Sequence, residues 1–544
     1  MDLPYVISPV GENDFAWLVL QRFLGSFLET LPFGLGRFVR YTKRGWNWSD
    51  KNKAHKELGK VFIVVSPSGN DLHVGDAAAT DFILSRRKDF LKPLELAKLI
   101  DVFGQSVISS EGSDWQRHRR VTAPPFNERN SQLVWGEALR QSVQMLEHWN
   151  SKIGGTNVTT TLRDTAKLAL NVLMCAGFGM TYSFRDSLDD RKDGFGMSYR
   201  DALETCMSDV LMVFVVPASV FSLPWLPKKL TKYKMAVADL KRYLQDMVAA
   251  AKVKAKEHGS TDADLLSNLV RRARDVQMEN SEDETLSQNS LSDSEIHGNL
   301  FMFSFAGHET MATTLEYAIY LLAAFPEWQE WVGAEIDEVF KAHESIETLD
   351  YEELYPKLKR CRAVMYEVLR LYPPALKIPK WTGNTPATLL LDDRVITIPP
   401  HTHIYPNVIA LQTNTEYWGE DCMLWKPNRW IQSSSRPSTF LSTRETLDSE
   451  ELVNAPIRGS YIPWADGSRI CPGKKFSQVE FVATVSALLW KHRIAISPRQ
   501  GENLTQARER TRGVIEDSGI TFTLRIWKPE TVDLQFLQRS KASS

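Results

Sequence analysis

Pro463-Trp464-Ala465-Asp466-Gly467-Ser468-Arg469-Ile470-Cys471-Pro472-Gly473 is the stretch whose reading decides this chain. A cysteine sits between two glycines and two residues after an arginine, and Lys474 to Trp490 follows as an apolar helix. Free backbone N–H groups and the helix dipole stabilise a thiolate at a helix N-terminus. Gly467 and Gly473 remove side chains where the backbone must approach something flat and bulky. Arg469 is suited to pair with an anionic group beside it. The combination describes a thiolate held out to a metal on a large anionic cofactor.

Three other constellations work with it. The first is Ala306-Gly307-His308-Glu309-Thr310, inside a long segment with helical character. A glycine within a helix costs roughly 1 kcal/mol against alanine, so Gly307 marks a groove that a ligand enters, with an acid and an alcohol beside it. The second is Glu367-Val368-Leu369-Arg370, which places Glu367 and Arg370 on one helix face, with Pro427-Asn428-Arg429-Trp430 downstream. The third is Trp115 to Arg119, one helical turn apart, followed by Pro124-Pro125-Phe126.

The cysteine run resembles the ligand loop of the cytochrome P450 superfamily, Phe-x-x-Gly-x-Arg-x-Cys-x-Gly. Gly467, Arg469, Cys471 and Gly473 match it, and Trp464 stands where the family has phenylalanine. The other three constellations resemble the family's remaining motifs, in the family's order. The resemblance implies a mainly α fold with small peripheral β-sheets, the cytochrome P450 fold. It implies haem b bound through Cys471, with Trp464, Gly467, Gly473, Ala306 and Gly307 against the ring. It places Trp115, Arg119, Arg469 and Lys380 on the haem carboxylates, Lys380 at a position where the family more often has arginine. It makes Glu309 and Thr310 the proton-delivering pair, and Glu367, Arg370 and Arg429 a buried triad bracing the cysteine loop. His308 reads as structural, and Arg117 and Arg120 as exposed basic residues.

Bulk properties agree. The chain has 544 residues, 43% of them hydrophobic, enough for one large core. A net charge of −2 offers no electrostatic case for nucleic acid. Five scattered cysteines without a CxxC pair exclude a disulfide scaffold and point to a reducing compartment. Gly34-Leu35-Gly36 and Gly177-Phe178-Gly179 lack the third glycine and the strand-turn-helix setting of a dinucleotide site. Electrons must therefore come from a separate protein.

Along the chain, residues 1–45 read as an amphipathic segment. Leu20, Phe23, Leu24, Phe27, Leu28 and Leu31 recur at helical spacing, and Arg37, Arg40, Lys43 and Arg44 follow. That pattern suits a helix lying in a membrane surface; a helix docked on its own domain is the alternative. Residues 46–530 read as one catalytic domain, with polar inserts near 275–294 and 433–450, and 531–544 as a tail. A hairpin is expected over Lys60–Val74, strands over Thr388–Ile398, and one strand over Gly519–Trp527. Ser292 and Glu295 form a capping-box pattern ahead of a helix that runs to Pro326.

The resemblance implies a haem-thiolate monooxygenase that inserts one oxygen atom of O2 into a lipophilic small molecule, with secondary metabolism as the setting. The electron donor would be an NADPH-dependent flavoprotein reductase on the cytosolic face of the endoplasmic reticulum, docking near Lys474 and Lys475. Three other readings stand beside it. One is a haem-thiolate isomerase or dehydratase acting on a peroxide; the second is a haem sensor or carrier without turnover; the third is a non-haem scaffold, which would show no Soret band. Phe303, Leu376, Lys377 and Ile378 are candidate substrate contacts, and Val210 to Leu226 a candidate roof for the pocket.

Overall fold

The computed structural model describes residues 3–98, 101–151, 157–185, 191–208, 227–257, 264–278, 290–434 and 442–539. The expected pocket roof, Val210 to Leu226, and much of both polar inserts lie outside the described residues.

The helix Asp293–Ala324 runs through the centre and is buried along most of its length. A helix apolar on all sides is stable only when it is covered all round. Ser292 and Glu295 complete its capping box: the Glu295 N–H donates to Ser292 Oγ at 3.3 Å, and the Ser292 N–H donates to Glu295 Oε2 at 2.8 Å. Pro326 opens the next helix, Pro326–Val339, at a position where no N–H is needed. Thr161–Phe178 is the main packing partner of the central helix. The helix after the cysteine, Lys474–Trp490, packs on Glu128–Asn150.

The sheets are small and peripheral. The largest runs Tyr5–Ile7, Val61–Ser66, Gly69–Val74, Thr402–Pro406, Lys380–Trp381 from edge to edge. Val61–Ser66 and Gly69–Val74 are the expected hairpin, in antiparallel register Val61↔Val74. Ala387–Leu391 and Arg394–Ile398 pair as expected around Asp392.

Several sequence expectations need correction. Within the tail, Leu534–Gln538 adds a strand that pairs antiparallel with His492–Ile496. The single strand expected over Gly519–Trp527 is a hairpin, Ser518–Ile520 against Leu524–Ile526. Within the second insert, Thr443–Ser449 is a helix capped by Ser442 and Glu445. Residues 1–45 do not form a separate unit. Tyr5–Ile7 extends the main sheet, and helix Phe15–Glu29 is sewn on by Trp17, whose Nε1 donates to the Thr42 carbonyl at 2.9 Å. The apolar stripe of that helix nevertheless faces outward. Phe23 is 78% exposed, and Phe33 just beyond the helix is 99% exposed. Three of the four basic residues that follow are turned to the chain's own groups: Arg40 to Asp50 and Glu57, Lys43 to Glu29, and Arg44 to the Thr521 carbonyl. Among the described residues no helix is long and apolar enough to cross a membrane.

Candidate active site

The cysteine loop is shaped by backbone constraints. Gly467 has φ +68°, and a Cβ there would sit 2.3 Å from the Leu84 carbonyl oxygen. Glycine is therefore required by the loop's own seating on helix Ala77–Ser85. Gly473 has no such constraint: a Cβ would meet only Cys471 Sγ, at 3.8 Å, so its role is to keep space open beside the sulfur. The Cys471 N–H donates to the Trp464 carbonyl at 2.9 Å, closing the turn. Trp464 keeps the aromatic role of its position and adds an anchor. Its ring packs edge-on against Tyr366 and Tyr461, and its Nε1 donates to Ser477 Oγ at 3.1 Å, on the helix that follows the cysteine.

Cys471 is the one exposed cysteine; Cys206, Cys361 and Cys422 are buried and Cys175 is half-buried. Protein crowds the sulfur on the sides away from the opening, so burial still pushes its thiol up, against the Gly473 N–H and the Arg119 charge that pull it down. Only a bound metal would then make the thiolate the resting form, as metal ligation does.

Beside the cysteine lies a crowd of cations. Arg469 reaches Glu111 Oε1 at 2.6 Å, and its guanidinium lies 4.5 Å from the centre of the Trp115 ring. Arg469 Nε is buried without a hydrogen-bond partner. Lys380 is buried, and burial with repulsion from Arg469 lowers its pKa to about 8. Lys92 is lowered to about 7 by burial, then by Arg469 and Lys380. Burial lowers Arg119 as well. Arg87 lies over the same Trp115 ring at 4.6 Å. Burial opposes ionisation of Glu111, but Arg469 and the Lys92 N–H hold its pKa below the usual carboxylate value. Glu111, with Asp101 acting on Lys92 alone, does not balance this many cations, so the cluster fits a cofactor carrying two carboxylates. Lys92 and Arg87 were not legible in the sequence. Lys92 reaches the site because Leu91 bridges antiparallel to Trp381, which sets Lys92 opposite Lys380. Like charges placed this way repel unless an anion joins them.

This cluster makes a pH prediction. An anionic cofactor restores the charge of Lys92 and Lys380, whose pKa values are lowered without it. Adding haem b to the cofactor-free chain at pH 8 should therefore take up on the order of one proton per chain at the lysines, offsetting the proton that Cys471 gives up on ligation. At pH 6, where both lysines are already charged, only the thiol proton is exchanged and about one proton per chain should be released. Equal proton release at pH 6 and pH 8 in weakly buffered solution would contradict the assignment.

The brace behind the loop is complete. Arg370 donates Nε to Glu367 Oε2 and Nη2 to Oε1, both at 2.8 Å. Arg429 Nε reaches Oε1 at 3.0 Å and Trp430 Nε1 reaches Oε2 at 2.9 Å. The link to the cysteine loop is Gln412, which the sequence did not reveal. Its Nε2 donates to the Leu369 and Arg370 carbonyls, and its Oε1 accepts the Ile462 N–H at 3.1 Å.

On the central helix, Ala306, Gly307 and Thr310 are partly open while their neighbours are buried. The helix stays continuous here. Gly307 does not kink it; a Cβ would sit 3.1 Å from Leu173 Cδ2, so the glycine lets helix Thr161–Phe178 pack closely. Thr310 Oγ1 donates back to the Ala306 carbonyl at 2.8 Å. Glu309 turns to the hairpin Ser518–Ile526 instead, where Thr523 and Arg525 bind its Oε1. His308 is structural, its Nδ1 2.6 Å from the Ser304 carbonyl.

The substrate candidates divide. Ile378 is half-buried. Leu376 is 3% exposed within the main core, and the Phe303 ring packs on Phe126. Lys377 is neither a substrate contact nor solvent-facing: it pairs with Glu12 and lies over the Tyr405 ring. Arg117, expected to be exposed, pairs with Glu295 at the start of the central helix.

The chain is similar to known proteins over nearly its whole length. The cytochrome P450 family profile matches residues 29–521. A cytochrome P450 monooxygenase of Arthrobotrys oligospora is 32% identical over 98% of this chain and 93% of its own length. The monooxygenase prx9 of Penicillium rubens is 30% identical over 91% and 86%. A phomenoic acid biosynthesis cluster cytochrome P450 monooxygenase of Leptosphaeria maculans is 27% identical over 93% and 89%. A match of this extent, joined to an exposed cysteine at a helix mouth beside a cluster of cations, shows that the chain belongs to the cytochrome P450 family and is a haem-thiolate monooxygenase.

Proposed function

We propose that Cys471 ligates the iron of haem b, that Arg469, Lys380, Arg119 and Trp115 hold its carboxylates together with Lys92, and that the substrate is a lipophilic small molecule of secondary metabolism. The observation that carries the cofactor assignment is the exposed Cys471 beside a cluster of buried and half-buried, under-balanced cations. The secondary-metabolic setting is supported by the relative from the phomenoic acid cluster. Haem with a thiolate ligand supplies the activation of O2. The chain's own residues orient the cofactor, leave the central helix partly open at Ala306 and Thr310, and carry protons through Glu309 and Thr310. Glu367, Arg370 and Arg429 keep the loop rigid.

Electrons come from an NADPH-dependent flavoprotein reductase, which docks on the face carrying Lys474. Lys474 is exposed, whereas Lys475 lies over the Tyr355 ring at 4.4 Å and near Glu128. The docking charge is thus Lys474, and Lys475 is mainly structural. Lys474→Glu should slow NADPH-driven haem reduction severalfold, and more at low ionic strength than at high. An unchanged, salt-independent rate would sink the docking assignment. Turnover itself is tested with reductase, NADPH, O2 and a panel of lipophilic compounds. Products heavier by one oxygen support the reading; conversion of a peroxide without NADPH replaces it with the isomerase reading.

The endoplasmic reticulum membrane is the proposed location, cytosolic face, with helix Phe15–Glu29 lying in the lipid surface. Support comes from Phe15, Phe23, Phe27 and Phe33, which all point outward. Because Arg40, Lys43 and Arg44 are engaged within the chain, apolar burial dominates over attraction to anionic lipid. Burying one phenylalanine contributes about 1.5–3 kcal/mol. The double change Phe23→Ser/Phe27→Ser should therefore release the protein from neutral phosphatidylcholine vesicles in a flotation assay. Equal flotation of variant and parent would remove this helix from the membrane contact.

A further inference from the structure

The C-terminal hairpin holds the acid of the proton-delivering pair. Glu309 Oε1 accepts from Thr523 Oγ1 at 2.9 Å, from Arg525 Nε at 3.1 Å and from Arg525 Nη2 at 2.6 Å. Three donors on one oxygen, two of them from a guanidinium, define its direction closely. The Glu309 side chain is 9% exposed and that of Arg525 30% exposed, so Arg525 spans from the buried acid to solvent. Thr310, next along the helix, is turned to the Ala306 carbonyl.

The hairpin has its own anchors. Tyr317 on the central helix donates to Ser518 Oγ at 2.8 Å. The Leu524 N–H donates to the Pro374 carbonyl at 3.0 Å. Phe522 at the tip meets Phe305 edge-on, ring centres 4.4 Å apart. Arg525 stands opposite Gly519 in the ladder. Its position is thus set by contacts that do not involve Glu309, as a positioning residue requires.

We propose that Arg525, with Thr523, is the positioning residue that holds Glu309 at the solvent end of the proton route, so that the C-terminal hairpin governs proton delivery to Thr310. A proton passes from water at the Arg525 edge to the Glu309 carboxylate, and from Glu309 to Thr310. Glu309 returns to the carboxylate and to the clamp, and Arg525 stays protonated throughout. This rests on the monooxygenase assignment and on the Glu309–Thr310 pair, but not on the identity of the substrate.

The test uses the haem-loaded full chain with reductase and compares Arg525→Met, Arg525→Lys, Glu309→Gln and the double variant Arg525→Met/Glu309→Gln. Arg525→Met should slow NADPH oxidation about tenfold and enlarge its solvent deuterium isotope effect, since misplacing a proton donor forfeits part of its contribution. Arg525→Lys should recover to within about threefold, because the charge is kept while the fork is lost. The double variant should be no slower than Glu309→Gln alone, since both changes act on one step. A readout independent of turnover is the infrared carboxylate band that Glu309→Gln removes. Its position should shift in Arg525→Met and return in Arg525→Lys. A wild-type rate and isotope effect in Arg525→Met, an unshifted band, or an additive double variant would each overturn the proposal. Should Arg525→Met fail to retain haem, Thr523→Val, which removes one donor, carries the same readouts. An intact CO-difference spectrum in the parent separates failure of this proposal from failure of the haem assignment.

Discussion

Cys471→Ser is expected to abolish the red-shifted Soret band of the reduced, CO-treated protein, and NADPH-driven turnover with it. A hydroxyl does not ionise as a thiol does, and without the thiolate the electron push that cleaves O–O is lost. The variant tests the ligand cleanly because Cys471 is exposed and contributes nothing to the core. Unfolding of the cofactor-free variant should fall within about 0.5 kcal/mol of the parent, as for a surface substitution. If the band survives in Cys471→Ser, the iron is held elsewhere. No other cysteine is placed to take over: Cys206 and Cys361 are buried, and burial raises both thiols, Cys206 to about 12.

Glu367→Ala should be the most destabilising single change outside the cysteine loop, by about 3–5 kcal/mol. Glu367 and Arg370 are completely buried, and the removed carboxylate accepts from Arg370, Arg429, Trp430 Nε1 and the Lys426 N–H. Its loss leaves the Arg370 charge enclosed with only carbonyl oxygens around it, from Gln412 and Cys422 among others. The damage should extend to the cofactor, because Gln412 joins the Arg370 backbone to Ile462, at the entry to the cysteine run. Haem content and urea midpoint should fall together. Lys357→Ala provides the contrast. Its partner Glu353 lies one turn away on the surface, with both side chains more than half exposed. Such a pair is worth under about 1 kcal/mol, and a comparable loss in both variants would contradict burial as the cause.

How far the sequence carried depends on how local each determinant is. The cysteine turn, the capping box at Ser292, the hairpin at Ser66–Gly69 and the helix from Lys474 are set by neighbours within a few residues, and the structure has them where expected. Glu367 and Arg370 were legible as one helix face, although nothing in their spacing showed that they would be buried. Lys377 was misjudged because a lysine in an irregular segment carries no local sign of its partner, and Glu12 comes from the far end of the chain. Gly307 was read as marking a ligand groove, whereas its missing side chain faces a leucine on another helix.

By itself the sequence determined the chemistry: a cysteine at a helix mouth, an acid and alcohol beside a glycine, and a mainly α chain with small sheets. Those features depend on residue type and short spacing, which backbone geometry turns directly into shape. Only the tertiary structure decided which charges share one space. It brought Lys92 opposite Lys380 through a bridge at Leu91, tied Gln412 to the cysteine loop, and set Arg525 on Glu309 from the C-terminal hairpin. Burial and Coulomb interaction depend on distance through space, and distance through space is what the chain acquires only when it folds.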